Sequence, residues 1–270
     1  MGNYDDLLQS DEDEQVKKNL GFKEEAVTYV GIIDDHSGSM GEYLEEKKSK
    51  ADLALSNYNE QLATLKKQSE EGMETLVTVI EFDNEIMCTH DNVSVEDMKP
   101  LKNYWTRGTT SLYDAIAYGI SRVKSRMEAD ERDNKAALII VETDGYENAS
   151  GDYHGEEGRK RLKTLIEELE ATGRWTFTFL GAGIDEKLAE SLGMNFGNIM
   201  TTKAGDFRDT VHAYSVQNAS LGDYMRDRKR GVLNKSDFYS SPKVDNDNDS
   251  DGTNNAWNEN QVPHGAKSAK

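Results

Sequence analysis

Three short segments of the sequence carry side-chain oxygens at places where an apolar run ends or a helix is about to begin. Asp35, Ser37 and Ser39 follow one apolar run, Thr110 stands in the segment RGTTSLYDA, and Asp144 follows another apolar run. Hydroxyl and carboxylate oxygens are the donors that a hard cation prefers. These residue types therefore indicate a divalent-cation site, with Mg²⁺ as the first choice and Mn²⁺ or Ca²⁺ as alternatives.

The residues around these segments predict an open, doubly wound α/β fold with a mostly parallel sheet. Apolar runs rich in β-branched and aromatic residues predict strands over 26–33, 74–82, 135–143, 175–183 and 197–202, with a short antiparallel edge strand over 86–90. Apolar residues at helical spacing predict helices over 41–70, 110–127, 156–172, 185–192 and 205–229. Because strands alternate with helices, we expect helices on both faces of the sheet.

The three oxygen-bearing segments meet only if the strands have a particular order. In open α/β sheets, ligands bind outside the carboxyl ends of the strands. Asp35 and Asp144 close the strands 26–33 and 135–143, so these two strands must be neighbours if the segments are to share one rim. The alternative is that each segment is a separate turn or helix cap.

Taken together, the three segments resemble a known family. D-x-S-x-S is filled by Asp35, Ser37 and Ser39, G-x-T-x-L-x-D-A carries Thr110, and T-D-G carries Asp144. Over about residues 26–230, the order, spacing and strand placement of these motifs are similar to the metal-ion-dependent adhesion site of the von Willebrand factor type A (vWA) domain. The resemblance implies a Mg²⁺ ion ligated directly by the three hydroxyls, with the two aspartates acting through water or hydrogen bonds.

The resemblance also implies how such a site works. The open coordination position of the ion accepts a Glu or Asp carboxylate from a partner protein, and binding shifts the last helix. Asp34 departs from the family, which usually has an apolar residue there, and period-two alternation points it away from Asp35. His36 alternates away from Asp35 and Ser37 as well, so we do not expect it to be a ligand.

The composition excludes several classes of partner. The chain has 270 residues, with 32 Lys plus Arg against 51 Asp plus Glu, and its formal net charge of -19 repels nucleic-acid phosphates and anionic membrane surfaces. Cys88 is the only cysteine, so the chain has no intramolecular disulfide. There is no secretory signal pattern at the N-terminus and no apolar run of membrane-spanning length. We therefore expect a cytoplasmic protein, or part of a virion assembled in the cytoplasm.

Composition also divides the chain into three parts. Residues 1–24 read as an acidic flexible leader, 25–232 as the vWA-like domain, and 233–270 as a low-complexity, disordered tail. Within the tail, the stretch 245–259 matches the first half of a calcium loop, D-x-D-x-D-G, but has Asn258 where the loop needs Glu. Calcium binding and a solvated acidic linker both stay open there.

We therefore expect a non-catalytic, Mg²⁺-dependent protein-binding module whose oligomeric state is left open. One alternative is a structural component of a virus particle or multiprotein assembly that uses the fold as a scaffold. A metal-dependent phosphoryl-transfer enzyme is less consistent with the residues, because the three segments hold no obvious general base. Around Ser39 the first glycine of G-x-S-x-G is replaced by Ser37, and the chain contains no P-loop and no H-E-x-x-H motif.

Overall fold

The computed structural model describes residues 26–45, 47–69, 73–184 and 186–239, so the predicted leader at 1–24 and the stretch 245–259 lie outside the described residues. The strands are β1 (Ala26–Asp35), β2 (Tyr43–Glu45), β3 (Lys48–Ser49), β4 (Met73–Phe82), β5 (Ile86–Ser94), β6 (Lys135–Thr143), β7 (Trp175–Ala182) and β8 (Ile199–Thr202). The helices are α1 (Lys50–Ser69), α2 (Leu112–Glu128), α3 (Gly155–Ala171), α4 (Lys187–Ser191) and α5 (Phe207–Lys229).

The main sheet is six-stranded, in the order β5-β4-β1-β6-β7-β8. The edge strand β5 is antiparallel to β4. The other four neighbouring pairs of the sheet are parallel: β4 with β1, β1 with β6, β6 with β7, and β7 with β8. The predicted α/β fold, including its antiparallel edge strand, is therefore confirmed. The order also places β1 beside β6, which is the condition under which Asp35 and Asp144 share one rim.

The central strand β1 is buried along its whole length, and its side chains pack into two separate cores. Val27, Tyr29 and Ile33 pack into the core under α2 and α3, whereas Val30 and Ile32 pack into the core under α1 and α5. This period-two alternation is expected of a parallel strand that is covered on both faces. It also sends Asp34 to the α1 and α5 side and Asp35 to the α2 and α3 side.

The first long helix begins at Lys50, so the predicted start at Gly41 is wrong. A short 3₁₀ turn, Gly38–Gly41, and a small hairpin of β2 with β3 come first. Ser49 and Asp52 then set the helix start, because the Asp52 carboxylate accepts hydrogen bonds from the Ser49 amide at 2.9 Å and the Ser49 hydroxyl at 2.8 Å, and the Asp52 amide donates back to Ser49 Oγ at 3.1 Å. This reciprocal capping competes successfully with the helical spacing that Leu44 extends in the sequence.

The packed part of the chain continues beyond α5. Phe238, which composition placed in the tail, is 2% exposed and joins the core under α1 and α5. Its amide donates to the Asn198 side chain at 2.8 Å, and the Tyr239 amide donates to the Gly197 carbonyl at 2.9 Å. Among the described helices, none combines the length and the apolarity that crossing a membrane requires.

Candidate functional site

Asp35 ends β1 at the rim and is completely buried. One carboxylate oxygen accepts a hydrogen bond from the Ser37 amide at 2.7 Å, and the other accepts one from the Thr143 hydroxyl at the end of β6. Burial is the main cause that raises the pKa of Asp35 to about 6, with a smaller contribution from the neighbouring Asp144 charge. Within the described part of the chain, no cationic side chain forms an ion pair with Asp35.

A row of hydroxyls connects the end of β1 to the end of β6. Ser39 Oγ donates to Asp144 Oδ1 at 2.7 Å, and Ser37 Oγ lies 3.1 Å from Ser39 Oγ. A serine hydroxyl has one proton, which Ser39 gives to Asp144, so Ser37 donates to Ser39. The lone pairs of Ser37 Oγ stay available for another ligand.

Thr110 completes the rim from the loop before α2. Its amide donates to Asn148 Oδ1 at 2.9 Å, and its carbonyl accepts from the Asn148 amide at 3.0 Å, which ties this loop to the segment after β6. A Cβ built at Gly145 would lie 2.9 Å from Thr110 Oγ1 and 3.6 Å from Ser39 Oγ. Both hydroxyls therefore border one small space that only glycine leaves open.

The structure thus places all five predicted side chains at one rim: Asp35, Ser37, Ser39, Thr110 and Asp144. Their role in metal binding stays a prediction. Within the described residues, no group of three or more His, Cys, Asp or Glu side chains is arranged to hold a metal. A cation at this rim would depend on the three hydroxyls as much as on the two carboxylates.

Lys50 also belongs to this rim, although the sequence motifs did not include it. Its ammonium lies 2.6 Å from Asp144 Oδ2 and 2.8 Å from Glu42 Oε2. Burial lowers the pKa of Lys50, but the hydrogen bonds to Asp144 and Glu42 outweigh this, so the pKa lies above its ordinary value. A sequence signal existed only in the Ser49–Asp52 capping pair, which moves Lys50 from mid-helix to the helix start.

The opposite face of the sheet carries a buried acidic row at the same level. Register aligns Asp34 with Glu81 on β4 and with Glu142 on β6, and all three residues are buried. The Tyr104 hydroxyl donates to Asp34 at 2.6 Å, and Asn57 donates to both Glu142 oxygens at 3.0 and 3.1 Å. Burial is the main cause that raises the pKa of Glu142 to about 8, with the Asp34 charge adding to it.

His36 faces this acidic row and not the rim. Its ring stacks on Tyr104 and Trp105, with centroids 3.9 and 4.2 Å apart, and Nδ1 lies 2.7 Å from the Trp105 carbonyl oxygen. A carbonyl only accepts, so Nδ1 carries a proton, and Nε2 points at Asp34 Oδ2 from 3.6 Å. His36 is therefore turned away from the oxygens of the rim, as the alternation predicts.

Two exposed tyrosines and one cavity flank the rim. Tyr43 on the hairpin is 71% exposed and Tyr146, just beyond Asp144, is 54% exposed. A cavity of about 160 Å³ opens beside Asp144 and is lined by the hairpin, Lys50 and the loop after β8. Aromatic side chains are enriched at surfaces that contact other proteins.

No protein-family model matches the sequence, and no curated protein matches it either. Solved structures do resemble the fold. The pilus adhesin SpaC from Lactobacillus rhamnosus GG is 13% identical, with a TM-score of 0.53 over 77% of this chain and 31% of that chain. The PilB minor pilin from Streptococcus sanguinis is 13% identical, with a TM-score of 0.50 over 82% of this chain and 64% of that chain. A von Willebrand factor type A protein from Catenulispora acidiphila is 15% identical, with a TM-score of 0.48 over 74% of this chain and 43% of that chain.

The chain has an open α/β fold that resembles the folds of solved structures, among them SpaC and PilB. At identities this low, the likeness to these structures concerns the fold alone. The chain also spans less than two thirds of each of these longer proteins, with 64%, 43% and 31% covered. What the chain binds must therefore be argued from the rim itself.

Proposed function

We propose that this protein is a protein-binding module in which a divalent cation, Mg²⁺ first, is held at the rim and accepts a Glu or Asp carboxylate from a partner. The observation that carries the proposal is the hydrogen-bonded row Ser37–Ser39–Asp144 beside Asp35, a buried carboxylate with no cation paired to it in the described structure. A buried carboxylate without a counter-charge is costly, and a bound cation removes that cost.

The residues present fit such an ion. Ser37, Ser39 and Thr110 would supply neutral hydroxyl oxygens, and Asp35 and Asp144 would balance the charge from behind them. Neutral ligands leave a hard cation electron-poor, so it attracts an external carboxylate. Lys50 neutralises Asp144 and leaves Asp35 without a counter-charge, so one charge at the rim still favours a cation.

Isothermal titration calorimetry of the full chain with Mg²⁺ tests the proposal. We expect saturable binding that is lost in the Ser37→Ala, Ser39→Ala double variant, because two of the hydroxyl ligands are removed. Ser121→Ala with Ser125→Ala, two exposed serines of α2, is the matched control and should bind as the unmodified chain does. Unchanged Mg²⁺ binding in the Ser37 and Ser39 double variant contradicts the proposal.

The partner is proposed to be a protein. The net charge of -19 opposes binding to nucleic acid or anionic membranes, and Tyr43 and Tyr146 offer aromatic contact area next to the cation. Capture of partners from the native source should require Mg²⁺ and be reversed by EDTA. Capture that EDTA does not affect would favour the scaffold alternative, a structural component of a larger assembly.

We propose no catalytic activity for this rim. His36, the nearest candidate for a general base, is turned toward Asp34 on the other face. Assays with phosphoester and nucleotide substrates in Mg²⁺ should show no turnover. Turnover that the Asp35→Ala variant abolishes would replace this proposal with a phosphoryl-transfer enzyme. A location in the cytoplasm, or in a particle assembled there, belongs to the same proposal.

A further inference from the structure

Lys50 places a permanent positive charge at the rim. Its ammonium bonds to Asp144 Oδ2 at 2.6 Å, while Ser39 occupies Asp144 Oδ1 at 2.7 Å. The Asp144 side chain is 0% exposed and the Lys50 side chain 14% exposed. Both oxygens of this aspartate are therefore engaged, and the partner of one of them is a tethered cation.

The backbone delivers this ammonium to the rim. Lys50 is the first residue of α1, its amide donates to the Glu42 carbonyl at 2.9 Å, and the capping pair Ser49 and Asp52 fixes the helix start beside it. The hairpin between Glu42 and Lys50 thus ends where the lysine side chain can reach Asp144. The same ammonium also binds the exposed Glu42 carboxylate at 2.8 Å.

The ammonium has room and a second partner when it leaves Asp144. Lys50 lines the cavity of about 160 Å³ that opens toward Tyr43 and the loop after β8. The lysine side chain has four rotatable carbon-carbon bonds, and Glu42 keeps its charge paired. The ammonium can therefore leave Asp144 without becoming an unpaired buried charge.

We propose that Lys50 is a tethered cation that competes with the divalent cation for Asp144 and so sets how tightly the rim binds metal. This inference rests on the proposed function, because it concerns the same site. An ammonium and a divalent cation repel each other when both approach one carboxylate, so each weakens the binding of the other. The rim is consequently closed at low metal concentration and opens to a cation only when Lys50 withdraws toward Glu42.

The test compares Mg²⁺ affinity in charge-removing variants at constant ionic strength. In Lys50→Met, and equally in Lys50→Gln, the dissociation constant for Mg²⁺ should fall at least about tenfold, because the competitor is gone. Lys203→Met is the matched control, since Lys203 lines the same cavity without an ion pair to Asp144 in the described structure. Its dissociation constant should change by less than about twofold.

A second readout is the free energy of unfolding, measured first without metal and then with it. In EDTA, urea unfolding of Lys50→Met, Asp144→Asn and the double variant should show non-additive effects, because the two side chains form a pair. In saturating Mg²⁺, the Lys50→Met change alone should destabilise less than it does in EDTA, since the ammonium has already left Asp144.

The outcomes separate the two proposals. Equal Mg²⁺ affinity of the unmodified chain and both Lys50 variants overturns the inference on Lys50 and leaves the metal-dependent function standing. Additive unfolding effects in EDTA overturn it as well. Absence of Mg²⁺ binding in the unmodified chain and in both Lys50 variants overturns the inference together with the proposed function. Binding that appears only in the Lys50 variants supports the inference and shows a rim held closed.

Discussion

The two faces of the sheet at the end of β1 use the same residue types for opposite purposes. On one face, Asp35 accepts hydrogen bonds from the Ser37 amide and the Thr143 hydroxyl, at a rim that reaches solvent through Gly38 and Ser39. On the other face, Asp34 meets Glu81, Glu142 and His36 beneath α1 and α5. The first arrangement can exchange ligands with the outside, whereas the second, the sealed face, is buried and its carboxyls lie among amide, phenol and imidazole groups of the chain.

The comparison teaches that burial of an acidic residue does not by itself mark a binding site. The sealed face has more carboxylates, but amide and phenol donors and His36 lie beside them. Burial lowers the pKa of His36, but the hydrogen bond and charge of Asp34 and the charge of Glu81 outweigh this and raise it above its ordinary value. The rim has fewer carboxylates, and its donors are mostly hydroxyls that can turn to an incoming ion. Access and donor type, more than negative charge, distinguish the two regions.

The largest expected effect is a loss of stability caused by a substitution on the sealed face. His36→Phe keeps an aromatic ring against Tyr104 but removes the imidazole that lies 3.6 Å from Asp34 and 3.9 Å from Glu81, so both carboxyls stay buried without it. We expect the free energy of unfolding to fall by about 3 kcal/mol in urea titrations, with Mg²⁺ affinity changed less than about threefold. The control is His212→Phe, at an exposed position of α5, which should change the free energy of unfolding by under about 0.5 kcal/mol. Loss of Mg²⁺ binding in a folded His36→Phe chain would show that the two regions act as one site.

The next effect is on affinity, from the rim. Asp35→Asn keeps the side-chain shape and removes the charge behind the hydroxyls, so Mg²⁺ affinity measured by calorimetry should drop by about ten- to a hundredfold. Asp97→Asn, at an exposed position, removes the same charge from the surface and serves as the control. Equal affinities for the two variants would mean that Asp35 is a purely structural carboxylate.

A smaller loss of stability is expected from a substitution at the start of α1, the helix that carries Lys50 to the rim. Ser49→Ala removes the hydroxyl that bonds to Asp52, and we expect a loss of about 1 kcal/mol in the free energy of unfolding. Ser56→Ala, within the same helix, should be neutral or slightly stabilising because alanine favours the helix. No loss in Ser49→Ala would indicate that the hairpin, and not the cap, sets the helix start.

The last effect, similar in size to that at Ser49, is expected at a carboxyl that belongs to neither region. Burial raises the pKa of Glu170 on α3 to about 7. A carboxyl with a raised pKa destabilises the folded chain when it ionises, so the unmodified chain should lose about 1 kcal/mol relative to Glu170→Gln as the pH rises from about 4.5 to about 7, after allowance for solvent screening. Urea titrations across this range measure it. A constant difference between the two chains would contradict the shift, and Glu168→Gln on the same helix is the exposed control.

Much of the fold could be predicted because its strands are short apolar runs. The strand predicted over 135–143 has the observed bounds Lys135–Thr143, since every residue after Lys135 is buried and polar residues flank the run. The start of α1 could not be placed from periodicity, because Leu44 continues the helical spacing while packing from the hairpin against a separate small cluster. The Ser49 and Asp52 cap was present in the sequence and was the better signal.

The candidate site, like the fold, could be predicted from the sequence only in part. The five oxygen-bearing residues could be named in advance, because each lies in a motif at the end of a predicted strand or at a helix entrance. Lys50 and Glu42 could not, because the Lys50 ammonium reaches Asp144 and the Glu42 carboxylate only once the hairpin has formed. The alignment of Asp34 with Glu81 and Glu142 likewise depends on which strands are neighbours and in what register.

By itself, the sequence determined the α/β class, the alternation that separates Asp34 from Asp35, and the residue types of the rim. These follow from local periodicity, which depends on residues close together in the chain. Only the tertiary structure decided that Lys50 pairs with Asp144, that three acidic residues form one buried row, and that His36 lies beside two of them. Such contacts join residues far apart in the chain, so their distances are set by strand order and helix packing, which no local pattern contains.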